Sequence, residues 1–479
     1  MRNMANTSTS ASTRRRALAV GGVTALALAA LPALAVTAPA AVTAGASVAS
    51  STSVASATAA LPAPIPASLG HILLKSGKAA PFSTSKCETT YALACYSPLQ
   101  YRTAYNLNSL YAKGITGAGR TIVIADAFGS PTIQSDLDTF DAQWGFPNTQ
   151  VQVVKWGAVP PFDPKNTDMT GWAYETSLDV EYAHSVAPNA HIVLLETGVS
   201  ETEGVNGFPE LMAGEKSLIS QGVGDVVSQS FGATENTFPG FAKGDYSSLL
   251  GLRYAYADAA QHGVTVLAAA GDSGATDSEP TAGNLYPYKV ADWPPSDPLV
   301  TAIGGTELSL NDAGRQLQPD VVWNDGYGAG GGGISAIFAR PGYQGAVKSV
   351  VGAHRGYPDI SMSAAVNGSA WVYTSYDPKQ VGWSLVGGTS EATPIFSGVV
   401  ALADQVAGHR LGNIDAALYA LGAQSRTSGP GGPSGIVDVT SGDNSDNGVT
   451  GYQAGPGFDL ASGWGTVDAA KFVRALAQY

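Results

Sequence analysis

Residues 120–128 read Arg-Thr-Ile-Val-Ile-Ala-Asp-Ala-Phe, an almost unbroken apolar run rich in β-branched side chains. Strict alternation would mark a strand with one wet face, whereas a continuous run predicts a strand covered on both faces, as in a parallel sheet. Runs of the same kind recur at AHIVLLE (190–196), GDVVSQSFG (224–232), VTVLAAAGDSG (264–274) and PLVTAIGG (298–305). Between them lie TSLDVEYAHSVA (176–187), stopped by Pro188, and SSLLGLRYAYADAAQHG (247–263), stopped by its final glycine. Both have helical spacing and helix-stop residues. The repetition of strand, helix and strand predicts an α/β fold, with a mainly parallel central sheet flanked by helices on both faces. Sites in such sheets form at the carboxyl ends of strands.

The chain has 479 residues, 44% of them hydrophobic and 13% charged, enough apolar residue for a large core and too little charge for disorder. A net charge of −13 excludes the basic footprint of a nucleic-acid binder. No acid precedes Glu88, whereas Arg2, Arg14, Arg15, Arg16, Lys75, Lys78 and Lys86 do, so the front and the body differ in kind. Arg14–Arg16 precede the apolar run ALAVGGVTALALAALPALAV, which contains Ala33-Leu34-Ala35. This is the layout of a secretory signal, expected over residues 1–45, and the paired arginines suit a twin-arginine route although Ala17 replaces a bulky residue. Gly21, Gly22 and Pro32 interrupt the run, and no other stretch is long and apolar enough to span, so no stable membrane association is expected. Residues 46–86 read as a Ser/Thr/Ala/Pro-rich linker or short propeptide, ahead of a body over 87–479. Cys87 and Cys95 are the only cysteines, and an exported chain predicts a disulfide between them.

Chemistry begins at Gly387-Gly388-Thr389-Ser390-Glu391-Ala392-Thr393-Pro394. Proline is tolerated in the first helical turn, so a helix should begin near Ser390. A hydroxyl there sits among unpaired N–H groups at the positive end of the helix dipole, where an oxyanion is stabilised. An N-cap serine is the commoner use of that position. A nucleophilic serine needs a base, usually histidine. None of the six histidines lies in the His-Gly-Thr type of helix start that subtilisins use. Glu175 and Asp179, four residues apart on a predicted helix, project from one face with Cβ atoms about 6 Å apart. Two such carboxyls share a proton, and the pair can accept one from a hydroxyl at a pH where imidazole is already protonated. Asp272, at the carboxyl end of a buried run, can donate a hydrogen bond to an oxyanion if it is itself protonated.

These pieces together resemble the sedolisin family, the serine-carboxyl peptidases on a subtilisin-like three-layer fold. The matching stretches run in order from about Cys87 to Phe472: ETSLDVEYAHSVAPNA, VVSQSFG, GDSG, DPLVTAIGGT, GGGISAIFARPGYQ, GYPDIS and GGTSEATP. The resemblance implies an acid-acting peptidase with Ser390 as nucleophile and Glu175 as general base and acid. Asp179 would be coupled to Glu175, and Asp272 would sit in the oxyanion hole. Family members carry a large folded prodomain, for which residues 46–86 are too short and polar. The resemblance also implies one structural Ca2+, held by the Asp438 and Asp459 carboxylates and the Val439, Gly455 and Gly457 carbonyls, oxygen ligands of the kind calcium prefers. An EF-hand-like start at Asp443, Ser445 and Asn447 fails, because its twelfth position is Ala454 instead of Glu. Ser230, Phe231 and Gly232, with the Gly-rich run 326–333, are candidates for holding extended substrate, either as an edge strand or as a loop.

The expectation is thus a secreted, extracellular and monomeric peptidase acting on protein or peptide. Two rivals stand beside it. One is a glycoside hydrolase using Glu175 and Asp179, which leaves Ser390 unexplained. The other is a non-catalytic binding protein on the same fold.

Overall fold

The computed structural model describes the backbone of residues 72–77 and residues 80–479, except 282, 380 and 429–431. The expected signal, 1–45, lies outside the described residues, as do 46–71. The strands used below are β1 (Ile72–Gly77), β2 (Cys95–Tyr96), β3 (Thr121–Ala127), β4 (Val151–Trp156), β5 (His191–Thr197) and β6 (Val226–Gln229). They continue with β7 (Thr265–Ala269), β8 (Thr301–Leu310), β9 (Gln316–Val322), β10 (Ile360–Ser363), β11 (Ser369–Thr374) and β12 (Gly382–Gly387). The helices are α1 (Thr167–Val186), α2 (Phe208–Ser220), α3 (Tyr254–His262) and α4 (Thr389–Ala407).

The run at 120–128 forms β3, inside an eight-stranded sheet of order β9-β8-β7-β6-β3-β5-β4, with β10 paired to β8. Every pairing is parallel except that of β9 with β8. Successive side chains of a strand point to opposite faces. Ile122 and Ile124 accordingly join a core with Leu178 of α1 and Ile395 of α4, whereas Val123 and Ala125 join one with Leu211 of α2 and Tyr256 of α3. Burial on both faces is why the strand sequences do not alternate. The result is the three-layer arrangement expected, and the chain crosses over β3 on its way from β5 to β6. That crossing is where the carboxyl ends open a crevice.

A second sheet has the order β1-β12-β11-β2. β1 runs antiparallel to β12, with Ile72 opposite Gly387 and Leu73 opposite Val386. β12 then leads directly into α4. Cys87 and Cys95 are disulfide-bonded, joining the helix Thr84–Tyr91 to β2. Ordered elements therefore begin inside the stretch read as linker, at β1 and at Thr84.

One predicted helix is broken. Residues 247–263 form a short helix, Ser247–Leu250, and then α3. Gly251, a poor helix former, sits at the break. The turn buries Leu249 and Leu252 together and swings Arg253 onto Asp297, with its Nε and Nη2 2.5 and 2.8 Å from the two carboxylate oxygens. No helix among the described residues is long and apolar enough to cross a membrane.

Candidate active site

Ser390 lies in the first turn of α4, whose N-cap is Gly388 at φ 144°, ψ 164°. That backbone conformation favours glycine, and it lets the Gly388 N–H bond the Ala364 carbonyl at 2.7 Å while the chain turns from β12 into the helix. The helix begins where the sequence placed it, but Pro394 falls in the second turn. Its missing N–H is the one that would have bonded the Ser390 carbonyl.

Asp272 follows β7 and meets the same helix start. Its Oδ1 accepts hydrogen bonds from Thr389 N (2.7 Å) and Thr389 Oγ1 (2.8 Å). Its Oδ2 is buried without a hydrogen-bond partner among the described residues. Burial holds the Asp272 carboxyl well above the usual carboxylate range, the two Thr389 bonds pull it partly back, and the charge of Glu175 adds to the rise. A carboxyl anchored by one oxygen and kept protonated has its O–H left to donate.

Glu175 and Asp179 lie one turn apart on α1, and neither is exposed. Asp179 Oδ1 accepts a 3.0 Å bond from Ser230 Oγ. Burial pushes Asp179 well up, the charges of Glu175 and Asp126 push it further, and the Ser230 hydroxyl offsets part of the effect. Asp126, the penultimate residue of β3, is raised by burial and then by Glu175, with the Thr176 hydroxyl opposing. The site thus holds a third carboxyl beyond the pair. The sequence carried the signal for it: Asp126 is the acid near the carboxyl end of the first buried run, where sites form.

A cavity of about 130 Å3 opens at this helix start, lined by Ser390, Asp272, Ser230, Phe231 and Gly232 among others; Glu175, Asp179 and Asp126 do not line it, and Asp179 is tied to it through Ser230. The three substrate-contact candidates therefore line one cavity with the serine. They lie just past the end of β6, which is paired on both sides and so is not an edge strand. The Gly-rich run is a packed segment: Gly330 and Gly331 are buried, Gly331 N bonds Gly271 O at 2.7 Å, and Ala329 N bonds Asp272 O at 3.0 Å. A Cβ on Gly331 would stand 1.9 Å from the Ala270 carbonyl, so glycine there is a matter of backbone-to-backbone packing. The run braces the Asp272 segment.

Further acids line the cavity wall, and sequence reasoning missed them. Glu203 is pushed up to about 8, mainly by burial. Asp277 and Asp292 are both raised by burial, and Asp277 pushes Asp292 further. The two meet beside Gly271, where a Cβ would stand 3.4 and 3.2 Å from their Oδ2 atoms. Glu203 and Asp277 come from loops and Asp292 from a two-residue strand, none of which periodicity reads. His184 makes its contacts away from this cluster, with Asp141 at 3.1 Å and the Pro147 carbonyl at 3.0 Å.

At the C-terminal loops, Asp438 Oδ2 accepts from Gly457 N (2.7 Å) and Asp459 Oδ2 from Gly455 N (2.9 Å). Asp438 Oδ1 is buried without a partner among the described residues. No group of three or more His, Cys, Asp or Glu side chains placed to hold a metal ion is found among the described residues. Two carboxylates supplemented by carbonyls are a hard-oxygen set, and an orphaned buried carboxylate oxygen fits a cation.

A model of the subtilase family matches residues 166–417. The chain is 33% identical over 404 residues to kumamolisin of Bacillus sp. (strain MN-32), covering 80% of this chain and 64% of that protein. It is 29% identical over 412 residues to sedolisin of Pseudomonas sp. (strain 101), covering 84% and 64%. Tripeptidyl-peptidase 1 of Canis lupus familiaris is 29% identical over 332 residues, covering 63% and 51%. The solved structure of Pseudomonas sedolisin, described as a serine-carboxyl proteinase complexed with two molecules of pseudo-iodotyrostatin, matches with a TM-score of 0.65 at 27% identity. That match covers 81% of this chain and 99% of the sedolisin chain. The chain spans about 64% of the length of kumamolisin and of sedolisin.

Proposed function

The chain belongs to the subtilase family, in its sedolisin branch, and on that premise we propose that it is a secreted serine-carboxyl peptidase that cleaves peptide bonds in acid. The observation that carries this reading is Asp272: a buried carboxyl fixed through Oδ1 to the residue before Ser390, its second oxygen without a hydrogen-bond partner among the described residues and its pKa raised by burial. In this reading Ser390 Oγ attacks the scissile carbonyl carbon as its proton passes to the Glu175 carboxylate. The carbonyl oxygen, now an oxyanion, takes hydrogen bonds from the Asp272 O–H and the Ser390 N–H at the helix start. Glu175 returns the proton to the departing amine, leaving an acyl-serine. Water then attacks that ester, giving its proton to Glu175, which passes it on to Ser390 Oγ as the acyl–oxygen bond breaks and the carboxylic-acid product leaves. Asp179, held by Ser230, shares charge with Glu175, and so does Asp126; crowding three carboxyls keeps a proton within the cluster at acidic pH.

The glycoside-hydrolase alternative is disfavoured because Glu175 and Asp179 are both fully buried on one helix, whereas a sugar must lie between its two acids. A non-catalytic role would leave the Asp272 anchoring and the acid cluster without a purpose. Calcium would be held by Asp438, Asp459 and the carbonyls of Val439, Gly455 and Gly457. When bound it would partner Asp438 Oδ1, which accepts no hydrogen bond among the described residues, and add to the charge of the nearby Arg426. The expected signal over 1–45 and a processed segment before the body belong to the same proposal, as does an extracellular location.

The test is cleavage of denatured protein at pH 3–5 by the purified chain and by Ser390→Ala and Glu175→Gln. Each variant should lose about a thousandfold or more in kcat while keeping the parent's melting temperature. Near-normal turnover in either would overturn the mechanism, as would a pH profile that climbs to a plateau above 7.

A further inference from the structure

A hairpin arm leaves the cavity wall and carries two packed tyrosines, one half-buried and one exposed. Its two sides, rising from Ala275 and returning to Val290, are tied in steps: Val290 N to Ala275 O (3.1 Å), Tyr286 N to Asp277 O (2.9 Å) and Glu279 N to Asn284 O (2.9 Å). Thr276 Oγ1 also donates to the Tyr286 carbonyl at 2.5 Å. The root of the arm is the cavity itself, since Asp277 and Ser278 line the same space as Ser390. Its return side is pinned as well: Lys289 Nζ donates to the Gly451 carbonyl at 2.9 Å and lies 3.7 Å from the Tyr452 ring centroid. This is a braced element, and its backbone is committed on both sides.

Tyr286 and Tyr288 are two residues apart, and their rings pack against each other with centroids 5.2 Å apart at 44°. Tyr288 is 52% exposed. Tyr286 is tied to the cavity wall by its backbone, since the Asp277 whose carbonyl it bonds lines the same space as Ser390. Among the described residues, the Tyr288 ring meets no aromatic ring other than that of Tyr286. Exposed tyrosines on a rigid arm give large apolar contact at little cost in conformational entropy. The cavity behind them is small and lined by carboxyls, unsuited to a bulky apolar group.

Resting on the peptidase reading above, the geometry points to Tyr286 and Tyr288 as a specificity platform that takes an aromatic side chain of the substrate flanking the scissile bond, outside the acid-lined recess. The pair sorts substrates; it does not touch the reacting atoms.

The experiment uses the full active chain with peptide sets in which Phe replaces Ala at each position around one cleavage site. The unaltered enzyme should favour Phe at one position by about fivefold, the scale of a single aromatic stacking contact. Tyr288→Ser should erase that preference through KM, and Tyr288→Phe, which keeps the ring, should preserve it. Far-UV circular dichroism and melting temperature report that both variants are folded. A Tyr288→Ser profile that superimposes on the parent's would overturn the inference while leaving the peptidase reading intact. No cleavage by the parent chain would sink both.

Discussion

Asp272 shows how one residue can be divided between structure and chemistry. Because Thr389 N–H occupies Oδ1, an Asp272→Asn variant must place its amide nitrogen where Oδ2 was, as a donor at every pH. Activity that requires the Asp272 proton falls as pH rises through its raised pKa. The Asn variant should therefore retain measurable turnover with its alkaline limb moved to higher pH, whereas Asp272→Ala should lose about 10²–10³ in kcat. Overlapping limbs for the parent and the Asn variant would remove Asp272 from the oxyanion. At this scale the sequence was informative where a motif has fixed spacing. Ser390, Glu175 and Asp179 were legible from four-residue periodicity and the glycine-serine-proline punctuation. Glu203, Asp277 and Asp292 were not, because their convergence depends on loop paths that no local pattern encodes.

Among elements, the contact between α1 and α4 decides the site, since one carries Glu175 and the other Ser390. They approach closely at Gly398, where a Cβ would fall 2.5 Å from Val186 Cβ. Gly398→Ala should cost about 2 kcal/mol despite its better helix propensity, since overpacking outweighs it. Val186→Ala in the same chain should restore part of the loss, as read from paired melting curves; additive losses would mean the contact is slack. The loops at 438–459 make a second test. Chelation should lower the melting temperature, and Asp438→Asn should make the protein insensitive to added calcium. Strands and helices of the large sheet were legible because continuous burial leaves unbroken apolar runs. The break at Gly251 was not, because the gain that pays for it, Arg253 on Asp297, lies 44 residues away. Nor was the internal place of β6, since an edge strand and a central one of four residues read alike.

Taken whole, the molecule is stocked with buried acids. Glu215 is pushed up to about 8 by burial, and Glu235, Asp320, Asp404 and Asp415 to about 7, also mainly by burial. Glu391, beside the nucleophile, is held well above the carboxylate range by burial, with the Tyr101 and Ser363 hydroxyls opposing. Each keeps its proton in the folded state at a pH where the unfolded chain has released it. Between the ordinary carboxylate range near pH 4 and the raised values near 7–8, the native state binds more protons, so stability falls as pH rises. Melting temperatures should be highest near pH 4 and drop by several degrees by pH 8. A flat or rising curve would contradict the burial of these groups.

The pairing of β1 with β12 reaches beyond the fold to how the chain can be handled. Trimmed to start at Ala80, the protein would bare the outer backbone of β12, with the unpaired N–H and C=O groups of an open sheet margin just upstream of the nucleophile. Such margins recruit whatever extended polypeptide is at hand, including another copy. Where the amino terminus is cut therefore governs whether a preparation stays dispersed or clumps.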